Sequence, residues 1–240
     1  MDTEAQHTER DRSSSSSDSG DVPHVAEESG EREERSRSVL ASLTDWLPGG
    51  RLTLSFLLCM GLLLAVSTFA VQPFEIPSGS MEPAFRSGDR VLVNKLAYRF
   101  GSEPQRGDAV VFDGSGYFGD ADYIKRVVGT GGDRVVCCDK RGRVKVNGEP
   151  VDEPYLYPGD VPSQVPFDVV VPEDSLFLLG DHRSDSRDSR DHLGEPGGGM
   201  IPVDEVIGRA DWIAWPVGHW TSLERPDGYA RVPDPGGPHG

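Results

Sequence analysis

The sequence predicts a mostly β domain, built as twisted antiparallel sheets or a partly closed β-barrel, preceded by one transmembrane helix. From Asp89 onward, short runs of strand-forming residues are broken by Gly, Pro, Asp and Asn, which is typical of strands joined by tight turns. Asn147 and Gly148 separate two alternating runs and predict a hairpin, because a type I′ turn needs positive φ at both central residues. Residues 52–71 contain no charged side chain.

The uncharged segment is long enough to cross a bilayer once. At about 1.5 Å per residue, a helix of its length spans roughly 30 Å. A cleaved signal peptide has a short basic region before a shorter apolar core, whereas about fifty residues precede this segment. We therefore expect residues 51–71 to form an uncleaved anchor helix.

The charges around this segment predict its orientation. Arg32, Arg35, Arg37 and Arg51 precede it, whereas acidic residues follow it closely. Basic residues favour the cytoplasmic side. We therefore expect residues 1–50, which are rich in Ser and acidic residues, to form a disordered cytoplasmic tail; residues 72–224 an extracytoplasmic β domain; and residues 225–240, rich in Pro and Gly, a loose tail.

Composition excludes several classes of function. The net charge is -16, which disfavours a nucleic-acid partner.

Cys137 and Cys138 are adjacent, and neighbouring strand side chains point to opposite faces, so no structural disulfide framework is expected. A metal site is also not expected in the acidic, His-containing stretch, because three arginines are interleaved with its candidate ligands and the central Gly of a Ca²⁺ loop is missing. Those candidate ligands are Asp181, His182, Asp185, Asp188, Asp191 and His192.

A serine loop follows the apolar segment directly. Ser80 lies in Pro77-Ser78-Gly79-Ser80-Met81, ten residues after Ala70, so a nucleophile here would lie near the membrane surface. No His-based triad pattern and no GxSxG motif accompanies it. The alternative base is a lysine, which must be neutral to accept a proton, and burial lowers the pKa of a lysine far enough for that.

The chain has four lysines, and pattern leaves two of them as candidate bases. Lys140 falls in a turn, and Lys145 shares its strand face with polar residues. Lys125 alternates with apolar residues in one predicted strand, and Lys95 does so in another. The pattern alone does not separate Lys95 from Lys125.

Four motifs occur in the order and character of the type I signal peptidase family of bacteria, which the chain resembles. They are PSGSM after a single apolar segment, GDRVLVNKL, YIKRVVGTGGD and GDHRSDSRDSR. The resemblance implies a membrane-bound serine endopeptidase that removes signal peptides from exported preproteins, with Ser80 as the nucleophile and Lys125 as the general base. It also implies that no cofactor is needed, because a Ser/Lys pair, an oxyanion hole and water suffice.

The resemblance further assigns the residues around this pair. The Ser80 backbone N–H and the Ser78 hydroxyl would form the oxyanion hole, and Ser186 would orient the lysine amine. Asp188 and Arg190 would support the site as an ion pair, together with Asp181. Pockets for small side chains, as in an Ala-X-Ala cleavage site, would be lined by Phe74, Ile76, Pro77, Met81, Tyr123 and Ile124. His182 and Ala84 depart from the family pattern, which usually has Asn and Thr there.

Two other readings remain. One is a different Ser/Lys peptidase, such as a self-cleaving repressor-like domain, although no DNA-binding segment accompanies it. The other is a catalytically inactive, membrane-tethered binding module, which predicts that replacing Ser80 leaves function intact. The expected partners are preprotein signal peptides and the phospholipid bilayer; the sequence does not determine the oligomeric state.

Overall fold

The computed structural model describes residues 50–236, so the predictions for the N-terminal tail and for the last four residues lie outside the described part. Its one α-helix, α1, covers Arg51–Phe69. This helix has a mean hydropathy of 2.2, is long and apolar enough to cross a membrane, and buries none of its residues. It ends two residues before the predicted boundary, and Val71 already belongs to the first strand.

The regular structure in the rest of the described chain is twelve β-strands and four short 3-10 helices. In chain order the strands are β1 (Val71–Glu75), β2 (Arg90–Asn94), β3 (Ala109–Asp113), β4 (Asp122–Thr130), β5 (Arg134–Cys137), β6 (Val144–Val146), β7 (Glu149–Pro150), β8 (Phe167–Val170), β9 (Ser175–Leu179), β10 (Ile201–Pro202), β11 (Val206–Trp215) and β12 (Thr221–Ser222).

The strands form two sheets, and every pairing is antiparallel. The large sheet has the order β1-β2-β11-β3-β4-β9-β10, with β12 beside β11, and the small sheet has the order β7-β6-β5-β8. Strand β11 shifts register against both of its long neighbours, and such bulges increase local twist and bending. The large sheet is accordingly curled into a half-barrel, which confirms the predicted fold class.

The predicted hairpin is confirmed at the junction of β6 and β7. Asn147 and Gly148 have φ of 53° and 86°, the left-handed conformation that a two-residue type I′ turn requires. Val146 pairs with Glu149 across the turn.

The core of the described residues is divided into three apolar clusters. The first contains side chains from both sheets and from the C-terminal segment. The second, which we call the loop cluster, includes apolar side chains of the segment between β1 and β2. The third is centred on β3, β4 and β9. The buried members of the loop cluster are Ile76, Met81, Phe85, Val91, Val93, Ala109, Val111, Ile124, Ala210 and Ile213.

The prediction of a loose C-terminal tail is wrong for residues 225–236. Tyr229 and Val232 are 6% and 8% exposed and belong to the first core cluster. The Arg225 guanidinium binds Asp108, with Nε 2.9 Å from Oδ1. The Pro and Gly content of this segment predicts an irregular backbone, but the side chains of Tyr229 and Val232 pack the segment against the core.

The expectation for the cysteines is also corrected, because Cys137 and Cys138 are joined by a disulfide. Alternation of side chains applies within a strand, and β5 ends at Cys137. Cys138 is therefore free to turn back towards its neighbour.

Replacing Tyr229 with alanine should lower the free energy of unfolding by about 3–5 kcal/mol, because it removes a buried aromatic ring and a hydroxyl contact. The Tyr229 hydroxyl lies 2.8 Å from that of Tyr155, which would lose a partner. Denaturant unfolding in detergent measures the change. Val217→Ala, at a side chain that is 66% exposed, serves as the control and should stay within about 0.5 kcal/mol. Equal stability of the two variants would contradict the packed C-terminal segment.

Candidate active site

The segment between β1 and β2 carries Ser80 and is fixed at both ends. The Ile76 N–H donates to the Asp89 carbonyl at 2.8 Å, and the Gly88 N–H donates to the Ile76 carbonyl at 2.9 Å. Met81 is completely buried in the loop cluster beside the serine. Ser80 itself is 7% exposed. Its position is set by the packing of the next residue, Met81, and by the backbone hydrogen bonds at the two ends of the segment.

Lys125 in β4 lies against Ser80. Its Nζ donates to Ser80 Oγ at 2.8 Å, and the residue is 3% exposed. Burial lowers the pKa of this lysine to about 8, although the negative charges of Asp188 and Asp181 act in the opposite direction. At neutral pH a usable fraction of Lys125 is therefore neutral and able to accept a proton.

Lys95, the other candidate base, lies elsewhere. Strand β2 ends at Asn94, so Lys95 does not share the alternation of that strand. Its Nζ donates to the Thr68 carbonyl at 3.2 Å. The structure thus separates two lysines that the sequence pattern left equivalent.

The segment after β9 contacts the backbone of Ser80. The His182 N–H donates to the Ser80 carbonyl at 3.0 Å. A Cβ at Gly180 would lie 2.6 Å from the same carbonyl oxygen and would also collide with the Ser186 side chain, so this position admits only glycine. The imidazole of His182 stacks on Tyr157 with ring centroids 3.8 Å apart. The contact with Ser80 uses the backbone of residue 182, and the His in place of Asn leaves it unchanged.

Ser186, which the resemblance assigns to orient Lys125, lies near Ser80 and Lys125 but is not hydrogen-bonded to either. Its Oγ is buried and has no hydrogen-bond partner among the described residues. A Cβ at Gly180 would lie 2.2 Å from Ser186 Oγ, so this side chain packs directly against Gly180, whose own neighbour is the Ser80 carbonyl. The assigned bond to Lys125 is not formed in this structure.

The two carboxylates assigned to structural support are each paired with an arginine. Arg190 Nε and one of its terminal nitrogens both lie 2.8 Å from the Asp188 carboxylate. Burial alone would raise the pKa of Asp188, but the hydrogen bonds and charge of Arg190 lower it below its usual value. Asp188 also accepts the Gly180 N–H at 3.0 Å, so this pair shapes the segment that contacts Ser80.

Two buried arginines were missed by the sequence reasoning. Arg126 Nε donates to Asp181 at 2.7 Å, and this pair holds β4 to the segment after β9. Arg183 Nε donates to the Gly180 carbonyl at 2.9 Å, while its guanidinium is paired with buried Glu153. Arg126 lies next to Lys125 between Ile124 and Val127 in this strand, and a buried arginine requires a carboxylate; that was the available signal.

Ser78, which the resemblance assigns to the oxyanion hole, lies close to Ser80. Its Oγ donates to Ser80 Oγ at 3.3 Å, and its residue is exposed. Its hydroxyl is thus both accessible and in contact with that of Ser80.

The residues assigned to the substrate pockets are only partly brought together. Ile76, Met81 and Ile124 are buried members of the loop cluster, and Phe74 packs against it. Pro77 is exposed. Tyr123 instead packs against the cluster centred on β3, β4 and β9. Neighbouring strand positions face opposite sides of a sheet, which separates Tyr123 from Ile124.

In the acidic, His-containing stretch, most of the side chains considered as metal ligands have other partners. Asp181 and Asp188 bind arginines as described, and His192 Nδ1 lies 2.8 Å from Glu195. Within residues 50–236 no three His, Cys, Asp or Glu side chains are grouped in a way that could hold a metal ion.

Comparison with known proteins identifies the family. Residues 50–215 match the family model described as signal peptidase, peptidase S26. The chain belongs to the signal peptidase family. It is 37% identical over 201 residues to signal peptidase I of Mycobacterium tuberculosis, covering 64% of this chain and 68% of that protein. It is 30% identical to signal peptidase IB of Staphylococcus aureus, covering 77% and 96% of the two chains.

Membership of this family makes the chain a peptidase, a hydrolase of peptide bonds that processes signal peptides. A crystal structure of a signal peptidase I from Enterococcus faecalis, 26% identical, covers 45% of this chain and 96% of that chain. Its TM-score of 0.36 is too low for the superposition to add anything about the fold.

Burial of Lys125 should destabilise the folded chain. A lysine whose pKa falls from 10.5 to about 8 on folding reduces the free energy of unfolding by about 3 kcal/mol. The unfolded state binds the proton more tightly, so this cost is full below pH 8 and disappears as the pH rises towards 10.5. Lys125→Met should therefore raise stability by about 1–3 kcal/mol at pH 6.5, and by less at pH 10. Thermal unfolding at both pH values measures this; a destabilised variant at pH 6.5 would contradict it.

Proposed function

We propose that the chain is a membrane-anchored serine endopeptidase that removes N-terminal signal peptides from exported preproteins with Ser80 and Lys125. One observation carries the proposal: the buried Lys125 amine lies 2.8 Å from Ser80 Oγ in a site that lowers the pKa of the lysine to about 8. A nucleophile within hydrogen-bond reach of a base of suitable pKa is the minimum for acyl transfer.

In the acylation step, neutral Lys125 Nζ takes the proton of Ser80 Oγ as the oxygen attacks the carbonyl carbon of the scissile bond. The negative charge that develops on the carbonyl oxygen is stabilised by the Ser80 N–H and the Ser78 hydroxyl. Donors in such positions contribute about 2.7–4 kcal/mol each. The resulting Lys125 ammonium then gives its proton to the leaving nitrogen, and the C–N bond breaks to leave an ester on Ser80.

In the deacylation step, a water molecule replaces the departed amine. Lys125 Nζ, neutral again, takes a proton from this water as its oxygen attacks the ester carbonyl. The lysine returns that proton to Ser80 Oγ as the ester breaks, which restores the starting state. No metal or other cofactor takes part in either step.

Specificity for small residues, as in Ala-X-Ala, is supported by the buried apolar side chains of the loop cluster, which include Met81 next to Ser80 and Ile124 next to Lys125. Ile76, Met81 and Ile124 are fixed in the loop cluster, so a pocket made by them cannot expand to admit a bulky side chain. A hydrophobic pocket distinguishes single methylenes by only about 1–3 kcal/mol, so discrimination against large residues would come from steric exclusion.

Anchoring by α1 is supported by its length, its mean hydropathy of 2.2 and the exposure of its side chains. The positive residues before α1 support a cytoplasmic N-terminus and an extracytoplasmic catalytic domain. This arrangement places Ser80 on the side of the membrane to which preproteins are exported.

The proposal is tested with the purified full chain in liposomes and a preprotein that carries an Ala-X-Ala site. N-terminal sequencing of the product should show one cut directly after the second Ala. The same preprotein with that second Ala changed to Phe is the matched control and should not be cut. Cleavage of both substrates at the same rate would contradict the proposed specificity, and cleavage of neither would contradict the proposed activity.

A further inference from the structure

The connection between β7 and β8, residues 151–166, contacts the segment that follows β9. We call this connection the strap. The Tyr157 N–H donates to the Asp181 carbonyl at 3.1 Å. The Asp160 carboxylate accepts the N–H of Ser184 at 3.1 Å and its hydroxyl at 2.7 Å. The strap is thus hydrogen-bonded to this segment at two separate points.

Between these two points the strap also holds a side chain. The ring of Tyr157 stacks on the imidazole of His182, with centroids 3.8 Å apart and an angle of 12° between the planes. His182 Nδ1 is buried and has no hydrogen-bond partner among residues 50–236, so no bond from this nitrogen holds the ring. Stacked flat rings restrict each other's orientation. The stack on Tyr157 therefore orients the His182 side chain.

The backbone of the same residue holds Ser80. The His182 N–H donates to the Ser80 carbonyl at 3.0 Å, while Ser80 Oγ lies 2.8 Å from Lys125 Nζ. Residue 182 is thus fixed by the strap through its side chain and fixes Ser80 through its backbone. A displacement of about 1 Å in a reacting group can cost about 10²-fold in rate, so a small movement of residue 182 matters for proton transfer.

We propose that Tyr157 is a positioning residue for the cleavage reaction. Its stack on His182 fixes the backbone of residue 182, which holds the Ser80 carbonyl and with it the distance from Ser80 Oγ to the lysine amine. The proposal rests on the proposed function of Ser80 and Lys125. Tyr157 acts through residue 182 and not on the reacting atoms. Because stacking uses the face of the ring, a phenylalanine at this position should serve equally well.

Cleavage kinetics of the purified full chain in liposomes, with a preprotein that carries an Ala-X-Ala site, test this role. Tyr157→Ala should lower kcat at least about tenfold and leave KM within about twofold, because alignment is lost while binding of the substrate is kept. Tyr157→Phe should keep the activity of the unmodified chain. Val161→Ala, at a side chain of the strap that is 53% exposed, is the matched control and should also keep it.

Three results of these measurements would overturn the proposal. They are a normal kcat in Tyr157→Ala, a loss confined to KM, and a loss in Tyr157→Phe equal to that in Tyr157→Ala. Thermal unfolding of each variant gives the temperature below which all of them are folded, and the rates are compared there. If Tyr157→Ala does not fold, Tyr157→Leu, which keeps an apolar side chain but no flat ring, takes its place with the same expected result.

A double-mutant cycle tests whether Tyr157 acts through His182. His182→Ala keeps the N–H that binds Ser80 and removes the stacking partner, so it should lower kcat about as much as Tyr157→Ala. The double variant should be no slower than either single one, because each substitution removes the same contact. Losses of kcat that multiply in the double variant would contradict action through His182.

The unmodified chain separates this proposal from the proposed function. If it cuts the preprotein and Tyr157→Ala cuts with the same kcat, only the role of Tyr157 is contradicted. If the unmodified chain does not cut, the proposed function fails, and the role of Tyr157 in it fails as well.

Discussion

Ser80→Ala should reduce the rate of preprotein cleavage by at least about 10⁴-fold. The substitution removes the oxygen that forms the ester and leaves the backbone donor of the oxyanion hole in place. Because the side chain is small, the loop cluster beside it should remain packed, and the loss should appear in kcat rather than in KM. Cleavage of a preprotein in liposomes, followed over several orders of magnitude in enzyme concentration, measures the change.

Ser115→Ala is a matched control for this variant. Ser115 is exposed, and its contact with Asp113 is made by its backbone N–H, which alanine keeps. Its activity should equal that of the unmodified chain. If Ser80→Ala cuts the preprotein at a normal rate, Ser80 is not the nucleophile. If neither the unmodified chain nor the variant cuts it, the reading as an inactive binding module gains support.

Lys125→Ala should cause a loss of comparable size. Residues that act as one catalytic unit are not additive, so the double variant with Ser80→Ala should be hardly slower than either single one. The physical reason is that a serine hydroxyl without a base is a poor nucleophile. The same cleavage assay measures all three variants, and circular dichroism verifies that each one is folded.

Two other lysines make this experiment decisive. Lys140→Ala, at an exposed position, should leave activity unchanged. Lys95→Ala tests the rival base: if it abolishes cleavage of a soluble peptide in detergent while Lys125→Ala does not, the assignment of the base is wrong.

Much of the fold could be predicted from local patterns. The uncharged segment that became α1, the alternating runs and the Asn147-Gly148 turn each determine local structure without information from the rest of the chain. Ser80 and the ion pair of Asp188 with Arg190 were assigned from motifs in the resemblance. In the structure Ser80 Oγ lies 2.8 Å from Lys125 Nζ, and Asp188 is paired with Arg190.

The remainder depended on contacts between distant residues. Lys95 and Lys125 have similar neighbours in sequence, and only strand ends and burial separate them. The pairing of Arg126 with Asp181 joins positions 55 residues apart, and the packing of Tyr229 joins a proline-rich segment to the core. Local composition carries no information about such partners, and for this reason it does not predict that residues 225–236 pack against the core.

The most direct test of a buried, neutral lysine acting as the base is the pH dependence of kcat/KM for a peptide substrate without titratable groups. Below its pKa, the fraction of neutral Lys125 rises tenfold for each pH unit. We predict that kcat/KM rises in this way from pH 6 and levels off near pH 8, the pKa to which burial lowers this lysine. A profile that is flat between pH 6 and 9, or that levels off near the histidine value of about 6.5, would contradict the assignment of Lys125.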